Sequence, residues 1–344
     1  MNVVIGSDGM FCPPIELKDP LMAPYGNDTT TEEILDGIDL TGRRFVVTGA
    51  SSGLGAESTR ALAAHGAFVT MLARSPEKNE AAAAAVRESV PDARLELGTV
   101  DLADLSSIRA FADRYRRDHD AIDVLMNNAG VMACPFGHTA DGFEMQFGTN
   151  HLGHFLLTGL LVPAILAGTE PRIVNLSSAA HSISDVDLDD PNFETTEYDP
   201  WGSYGRSKTA NVLFTRELAR RLGPEGVLSF AVHPGGIMTN LGRHLDEELI
   251  NQMMERSKAR AEAAGNAAGE FRFKSVEAGA ATQVWAATAP ELVDHNGAYL
   301  GDCQLGVEGA DPGGNGFVSY ILDDDKARRL WTLSEQLVGQ TLDL

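Results

Sequence analysis

Tyr204 and Lys208 stand four residues apart, so on a helix they share one face and set an ammonium beside a phenol. An ammonium favours the phenolate. Lowering a free tyrosine from about 10 by about three units takes about 4 kcal/mol of differential stabilisation, within reach of a lysine helped by a second bound cation. Tyr204 then reads as a general acid and base working near neutral pH. Read alone, Tyr204-Gly205-Arg206-Ser207-Lys208 is better taken as an exposed pair at the start of a helix, which the pattern predicts over Lys208 to Leu222.

A second segment, Thr48-Gly49-Ala50-Ser51-Ser52-Gly53-Leu54-Gly55, supplies the context. It follows Arg44-Phe45-Val46-Val47, a β-branched run that predicts a buried strand, and precedes Ala56 to His65, a predicted helix. A phosphate-binding loop needs that setting. Gly49 allows a sharp turn out of the strand, Gly53 lets backbone approach a pyrophosphate, and Gly55 permits close packing of helix on strand. The anion would lie at a helix N-terminus, where free N–H groups and the helix dipole favour negative charge. In a chain with 35 glycines the spacing carries little weight; the position between strand and helix carries it. Together the two segments indicate a nicotinamide-dependent oxidoreductase.

Further motifs occur in order. Asn127-Asn128-Ala129-Gly130 closes a predicted strand, Ile122 to Met126, and Asn150 sits in Thr149-Asn150-His151-Leu152-Gly153. Ser177-Ser178 closes the strand Arg172 to Leu176, and Pro234-Gly235 follows Phe230 to His233. Over roughly residues 41 to 301 the chain resembles the short-chain dehydrogenase/reductase family. Arg172 to His181 and Ser207 to Thr215 resemble its retinol dehydrogenase, protochlorophyllide reductase and WW-domain oxidoreductase branch.

The resemblance implies that Ser178 hydrogen-bonds the substrate oxygen and Tyr204 transfers the proton. Lys208 would lower the tyrosine pKa and grip the nicotinamide ribose, and Asn150 would hold a water linking Lys208 to solvent. Cofactor contacts would come from Gly49, Ser51, Ser52, Gly53, Leu54, Gly55, Asn128, Ala129, Gly130, Tyr204, Lys208, Pro234, Gly235 and Thr239. Asp101 and Leu102 would lie at the adenine, although an Asp there is also a helix cap. Ser177 points to the opposite face if the strand alternation continues, and reads as a hydroxyl satisfying local backbone.

Cofactor choice turns on the end of the predicted strand Ala67 to Ala73. Folds that prefer NAD usually place a carboxylate there for the ribose 2′-hydroxyl. Here Arg74 and Ser75 follow, and the next acid, Glu77, comes after Pro76. Arg74 can pair with a 2′-phosphate, so the expected cofactor is NADP(H), with Ser51 and Ser75 nearby; NAD(H) is the alternative.

Ser178 and Tyr204 are 26 residues apart, which makes 181–203 an insertion bearing Asp185, Asp187, Asp189, Asp190 and Pro191. It borders the active-site mouth or forms a solvated acidic loop. Residues 238–274 occupy the family's substrate-flap position, with Met238 and Leu241 as candidates for an apolar substrate wall. The expected substrate is a hydrophobic alcohol, ketone or aldehyde.

Strand and helix signals alternate without a linker through 344 residues. They predict one α/β domain over 41–344, a doubly wound, mostly parallel Rossmann sheet with helices on both faces. Residues 1–40, with Pro13-Pro14, Pro20 and Pro24, read as an extended arm with a short helix from Thr31 to Gly37; it could also join subunits into a homo-oligomer. The charge of −22 argues against nucleic acid and anionic membranes. Cys12, Cys134 and Cys303 give no disulfide framework or metal spacing, which fits a reducing cytoplasm. The N-terminus lacks a basic lead and a long apolar core, and the most apolar stretch, Phe155 to Ala167, contains Pro163 and is too short to span a bilayer. His151 and His154 stand one helical turn apart but lack a patterned third ligand, so no metal is expected. Two other readings stay open: an NAD-linked alcohol or steroid dehydrogenase, and a non-catalytic dinucleotide sensor.

Overall fold

The computed structural model describes residues 25–263 and 273–342. Among them the first element is α1 (Thr31–Leu35), started by a capping box between Thr30 and Glu33. Of the proline-bearing arm, residues 1–24 lie outside the described residues. α1 buries Thr31, Ile34 and Leu35, and the Thr31 hydroxyl donates to Glu57 at 2.5 Å. This end of the arm is therefore part of the core.

The chain then alternates strand and helix: β1 (Arg44–Thr48), α2 (Gly53–Ala64), β2 (Phe68–Ala73), α3 (Pro76–Ser89), β3 (Arg94–Thr99), α4 (Leu105–Asp118) and β4 (Val124–Asn127). Next come α5 (Met145–Phe147), a π-helical segment Gly148–Leu152, α6 (Gly153–Leu166), β5 (Arg172–Leu176), α7 (Pro200–Leu222) and β6 (Leu228–His233). The last elements are α8 (Glu247–Ala263), α9 (Val276–Thr288), the short strands β7 (Tyr299–Gly301), β8 (Gln304–Leu305), β9 (Val307–Glu308) and β10 (Gly316–Phe317), and α10 (Asp324–Val338).

One sheet runs in the order β3-β2-β1-β4-β5-β6-β7-β8, parallel throughout except for the antiparallel β7–β8 edge. Alternation along its strands divides the core. Phe45, Val47, Val69, Met71, Val174 and Phe230 pack with α2, α3 and α9, whereas Val46, Leu72, Leu125 and Ile173 pack with α4, α6, α7 and α10. The result is a single doubly wound domain. Strand order reverses between β1 and β4, so the loops leaving those two strands diverge and open a crevice, the usual ligand position in such sheets.

Two elements begin earlier than their patterns predict. α7 starts at Pro200 rather than Lys208, because Asp199 accepts from Gly202 N at 2.8 Å and Pro200 occupies the first turn. Tyr204 therefore lies inside the helix, and the non-helical part of the insertion ends at Asp199. The apolar run Phe155 to Ala167 belongs to a longer helical stretch, Met145–Leu166, long and apolar enough by length and composition to cross a membrane. Most of its apolar window is buried inside this fold, between the sheet and α10.

Candidate active site

β5 ends at Leu176, and the two serines that follow take separate roles. Ser177 donates its hydroxyl to the Lys208 carbonyl at 3.0 Å. Ser178 accepts from Ala180 N at 3.2 Å and acts on the Tyr204 phenol to lower its pKa. Tyr204 and Lys208 lie on the same face of α7, each only 4% exposed, with the ammonium nitrogen 5.6 Å from the phenol ring centre. Lys208 Nζ donates to the Leu176 carbonyl at 2.9 Å, and Asn211 Nδ2 donates to that same oxygen at 2.9 Å. Asn211 was missed in the sequence, although its place three residues beyond Lys208 puts it on this face.

Burial dominates both titrations. It pushes Tyr204 up to about 12, with the Ser178 hydrogen bond pulling part of the way back, and pushes Lys208 down to about 7. This reverses the expectation that the lysine draws the phenol towards neutrality. Both groups are desolvated, so each favours its uncharged form.

Asn150 lies in the π-helical segment. Its Oδ1 accepts from Val131 N at 2.8 Å, and its Nδ2 donates to Val131 O at 2.9 Å and Ser207 Oγ at 3.0 Å. The amide thus clamps the loop after β4 onto α7. Gly130 leaves this junction open: a Cβ there would sit 3.1 Å from Asn150 Oδ1 and 3.7 Å from Lys208 Nζ.

The crevice is lined by backbone. Gly49 and Gly53 have φ of 68° and 55°, and a Cβ on Gly49 would meet Ala129 Cα at 2.9 Å. Asn128 Nδ2 donates to Thr48 O at 2.7 Å and holds the two loops together. Ser51, Ser52 and Leu54 are half-buried, and Ser52 at the α2 N-cap makes no capping bond to the first turn of the helix. Those N–H groups have no side-chain acceptor from the cap, as an anion site requires. Thr239 closes the other side, its Cβ 3.2 Å from where a Gly53 side chain would start. Pro234 and Gly235 follow β6, and Lys274 supports them: its side chain packs where a Gly235 Cβ would project, and its Nζ donates to Asp302 at 2.5 Å. These residues fit a dinucleotide.

The adenine end is more mixed. Asp101 accepts from Ala103 N at 3.0 Å, and the cap of α4 is Asp104, not Asp101. The Leu102 side chain is in the core. Arg74 is exposed and its side chain forms no hydrogen bond or ion pair with a described residue. Ser75 caps α3 and donates to Glu77 at 2.7 Å.

Around Tyr204 the surroundings are apolar: Trp201, Ala180, Met132, Ile183, Leu249 and Met253 form one cluster with it. α8 is fastened there by Trp201 Nε1, which donates to Leu249 O at 3.3 Å. Met238, expected in the wall, is 72% exposed, and Leu245, Leu249 and Met253 reach the cluster instead. One face of α8 supplies Leu249 and Met253, and Leu245 precedes the helix. Part of the flap, residues 264–272, lies outside the described residues.

The acids of the insertion are occupied internally. Asp190 accepts from the backbone and hydroxyls of Thr195 and Thr196, Asp185 pairs with Lys326, and Asp187 lies 3.8 Å from Arg206. Arg206 also donates to Asp190 O at 2.9 Å and stands 4.1 Å over the Phe193 ring. His151 and His154 diverge, the first to Ser334 and the second to Thr48.

A buried Tyr–Ser–Lys–Asn group beside a glycine-lined crevice defines a dinucleotide-dependent oxidoreductase on a doubly wound sheet. The model of the short chain dehydrogenase family matches residues 43–250. Retinol dehydrogenase 13 of Homo sapiens is 40% identical over 300 residues, spanning 87% of this chain and 86% of that protein. A crystal structure of a protein from Mycobacterium paratuberculosis is 35% identical with a TM-score of 0.68, covering 90% of this chain and 98% of that one. A short chain dehydrogenase from Burkholderia cenocepacia, solved in complex with NADP, is 26% identical with a TM-score of 0.58, covering 76% and 96%. The chain belongs to the short-chain dehydrogenase/reductase family and is an oxidoreductase of that family.

Proposed function

We propose that the chain reduces a hydrophobic, uncharged carbonyl compound of retinoid-like character with NADPH. The observation that carries this reading is the apolar cluster of Trp201, Met132, Leu249 and Met253 around the buried Tyr204 phenol. Burying an unpaired charge against these apolar side chains is costly. The resemblance to a retinol dehydrogenase agrees in substrate size and polarity.

A bound nicotinamide supplies the hydride or accepts it. Ser178 directs its hydroxyl at the substrate oxygen, and Tyr204, held protonated by burial, gives that oxygen its proton. A neutral phenol is the form that can give a proton in reduction. Lys208, brought to about 7, is poised to hold or release a proton beside it. Arg74, exposed and without a partner among the described residues, is the group proposed to read a 2′-phosphate, in line with the NADP complex of the Burkholderia relative.

The test is a paired fluorescence titration with NADPH and NADH, on the wild type and on Arg74→Ala, followed by turnover of retinal and a series of hydrophobic aldehydes and ketones. NADPH should bind more tightly, and R74A should remove that preference. Tighter NADH binding would instead support the NAD-linked oxidative reading, and dinucleotide binding without turnover of any compound would support a sensor.

A further inference from the structure

Thr48 closes β1, and its Oγ1 accepts from two backbone donors of the loop after β4, Asn128 N and Ala129 N, each at 2.9 Å. Those two bonds occupy the oxygen's lone pairs. The hydroxyl proton must then be donated, and His154 Nε2 lies 2.9 Å away, closer than the Met126 carbonyl at 3.4 Å. An imidazole that accepts at Nε2 carries its proton on Nδ1. His154 Nδ1 is 2.9 Å from the Asn150 carbonyl, so it donates there. The ring is fully buried on α6, and desolvation lowers it to about 4, with the Asn150 bond opposing and the nearby Lys208 charge assisting. It stays neutral, and the direction of every bond in the chain is set.

The elements joined are far apart in sequence. Thr48 leads straight into the glycine loop, Asn128 and Ala129 line the opposite side of the crevice, and Asn150 clamps Val131 to Ser207 on α7. One imidazole connects all three. We propose that His154 is a positioning residue that couples the dinucleotide crevice to Asn150, one nitrogen serving each side. His154 touches neither substrate nor cofactor; it sets where the two loops and the Asn150 carbonyl stand.

Two variants separate the arms. His154→Asn keeps a donor near the Nδ1 position and loses the acceptor for Thr48, whereas His154→Gln keeps an acceptor near Nε2 and loses the donor to Asn150. Loss of one partner of a buried hydrogen bond corresponds to about tenfold in the property it supports. H154N should weaken NADPH and NADH binding about tenfold while keeping kcat at saturating cofactor close to wild type. H154Q should bind both dinucleotides nearly as wild type and lose about tenfold in kcat. Histidine 15N spectra of the wild type, free of cofactor, should show His154 as the Nδ1–H tautomer.

The idea is overturned if both variants change binding and kcat in parallel, if His154→Leu retains both, or if the Nε2–H tautomer is found. The binding split and the tautomer need no substrate. Absence of turnover in the wild type would therefore count against the retinoid-like substrate and leave the role of His154 decided by these two measurements. The tautomer also decides the matter if the variants fail to fold.

Discussion

A Cβ added to Gly55 would lie 2.4 Å from the Gly49 carbonyl oxygen and 2.6 Å from Asn128 Nδ2, so this position in the first turn of α2 has no room for a side chain. The contact is with backbone, which cannot swing aside. Overpacking of this kind typically costs about 1–3 kcal/mol and shifts the local backbone.

Gly55→Ala should therefore weaken dinucleotide binding by at least about tenfold and lower the melting temperature. Gly26, whose Cβ would meet nothing within 4 Å, is the control, and Gly26→Ala should leave both unchanged. Fluorescence titration and a thermal melt read the two effects, and wild-type affinity in G55A would remove the close packing from the argument.

Tyr204→Phe deletes the phenol hydroxyl and leaves the ring in the Trp201 cluster. Turnover should fall to background while NADPH and NADH affinities stay within about threefold, because the ring packing that shapes the crevice is retained. A variant with substantial turnover would take Tyr204 out of the chemistry.

Lys208 titrates near 7 in the fold against a usual value of 10.5. Its charged form is disfavoured by folding, so the penalty is complete below about pH 7 and is relieved as pH rises towards 10.5. Lys208→Met should raise the melting temperature more at pH 6 than at pH 10. Equal gains at both values would show that desolvation of the ammonium is not the cause.

Burial lowers His151 to about 3 and His154 to about 4, from an ordinary 6.5. Between those values the unfolded chain binds protons that the fold refuses, so stability rises with pH in that window. Denaturant titrations should show the loss beginning as pH falls through 6.5 and continuing towards 3, with several kcal/mol at stake, on the order of 1.4 per pKa unit. His151→Leu should flatten this limb, and an unchanged acid profile would assign it to other groups.

Arg206 binds Asp190 O at 2.9 Å and covers Phe193 at 4.1 Å, so it tethers the insertion to α7 between Tyr204 and Lys208. A partly buried guanidinium over a ring is worth about 1–2 kcal/mol. Arg206→Met should expose residues 183–199 to limited proteolysis and raise KM for the substrate, with dinucleotide affinity unchanged. Wild-type resistance to protease would mean the Asp190 hydrogen bonds hold the loop unaided.

Local chemistry was legible in the chain. The β-branched runs of β1 and β5, the glycine turn after Thr48 and the four-residue interval of Tyr204 and Lys208 depend on neighbours a few positions away. α7 was placed late because its start signal, Asp199-Pro200, lay within a stretch read as insertion.

By itself, the sequence determined the alternation of strands and helices, the position of the glycine loop between β1 and α2, and the face shared by Tyr204 and Lys208, because periodicity and turn residues act over short range. Only the tertiary structure decided that Leu249 and Met253, not Met238, reach Tyr204, that Thr48 meets His154, and that burial drives Tyr204 up and Lys208 down. Each of those depends on which distant segments exclude water from a group, and desolvation is a property of the assembled core that no interval along the chain encodes.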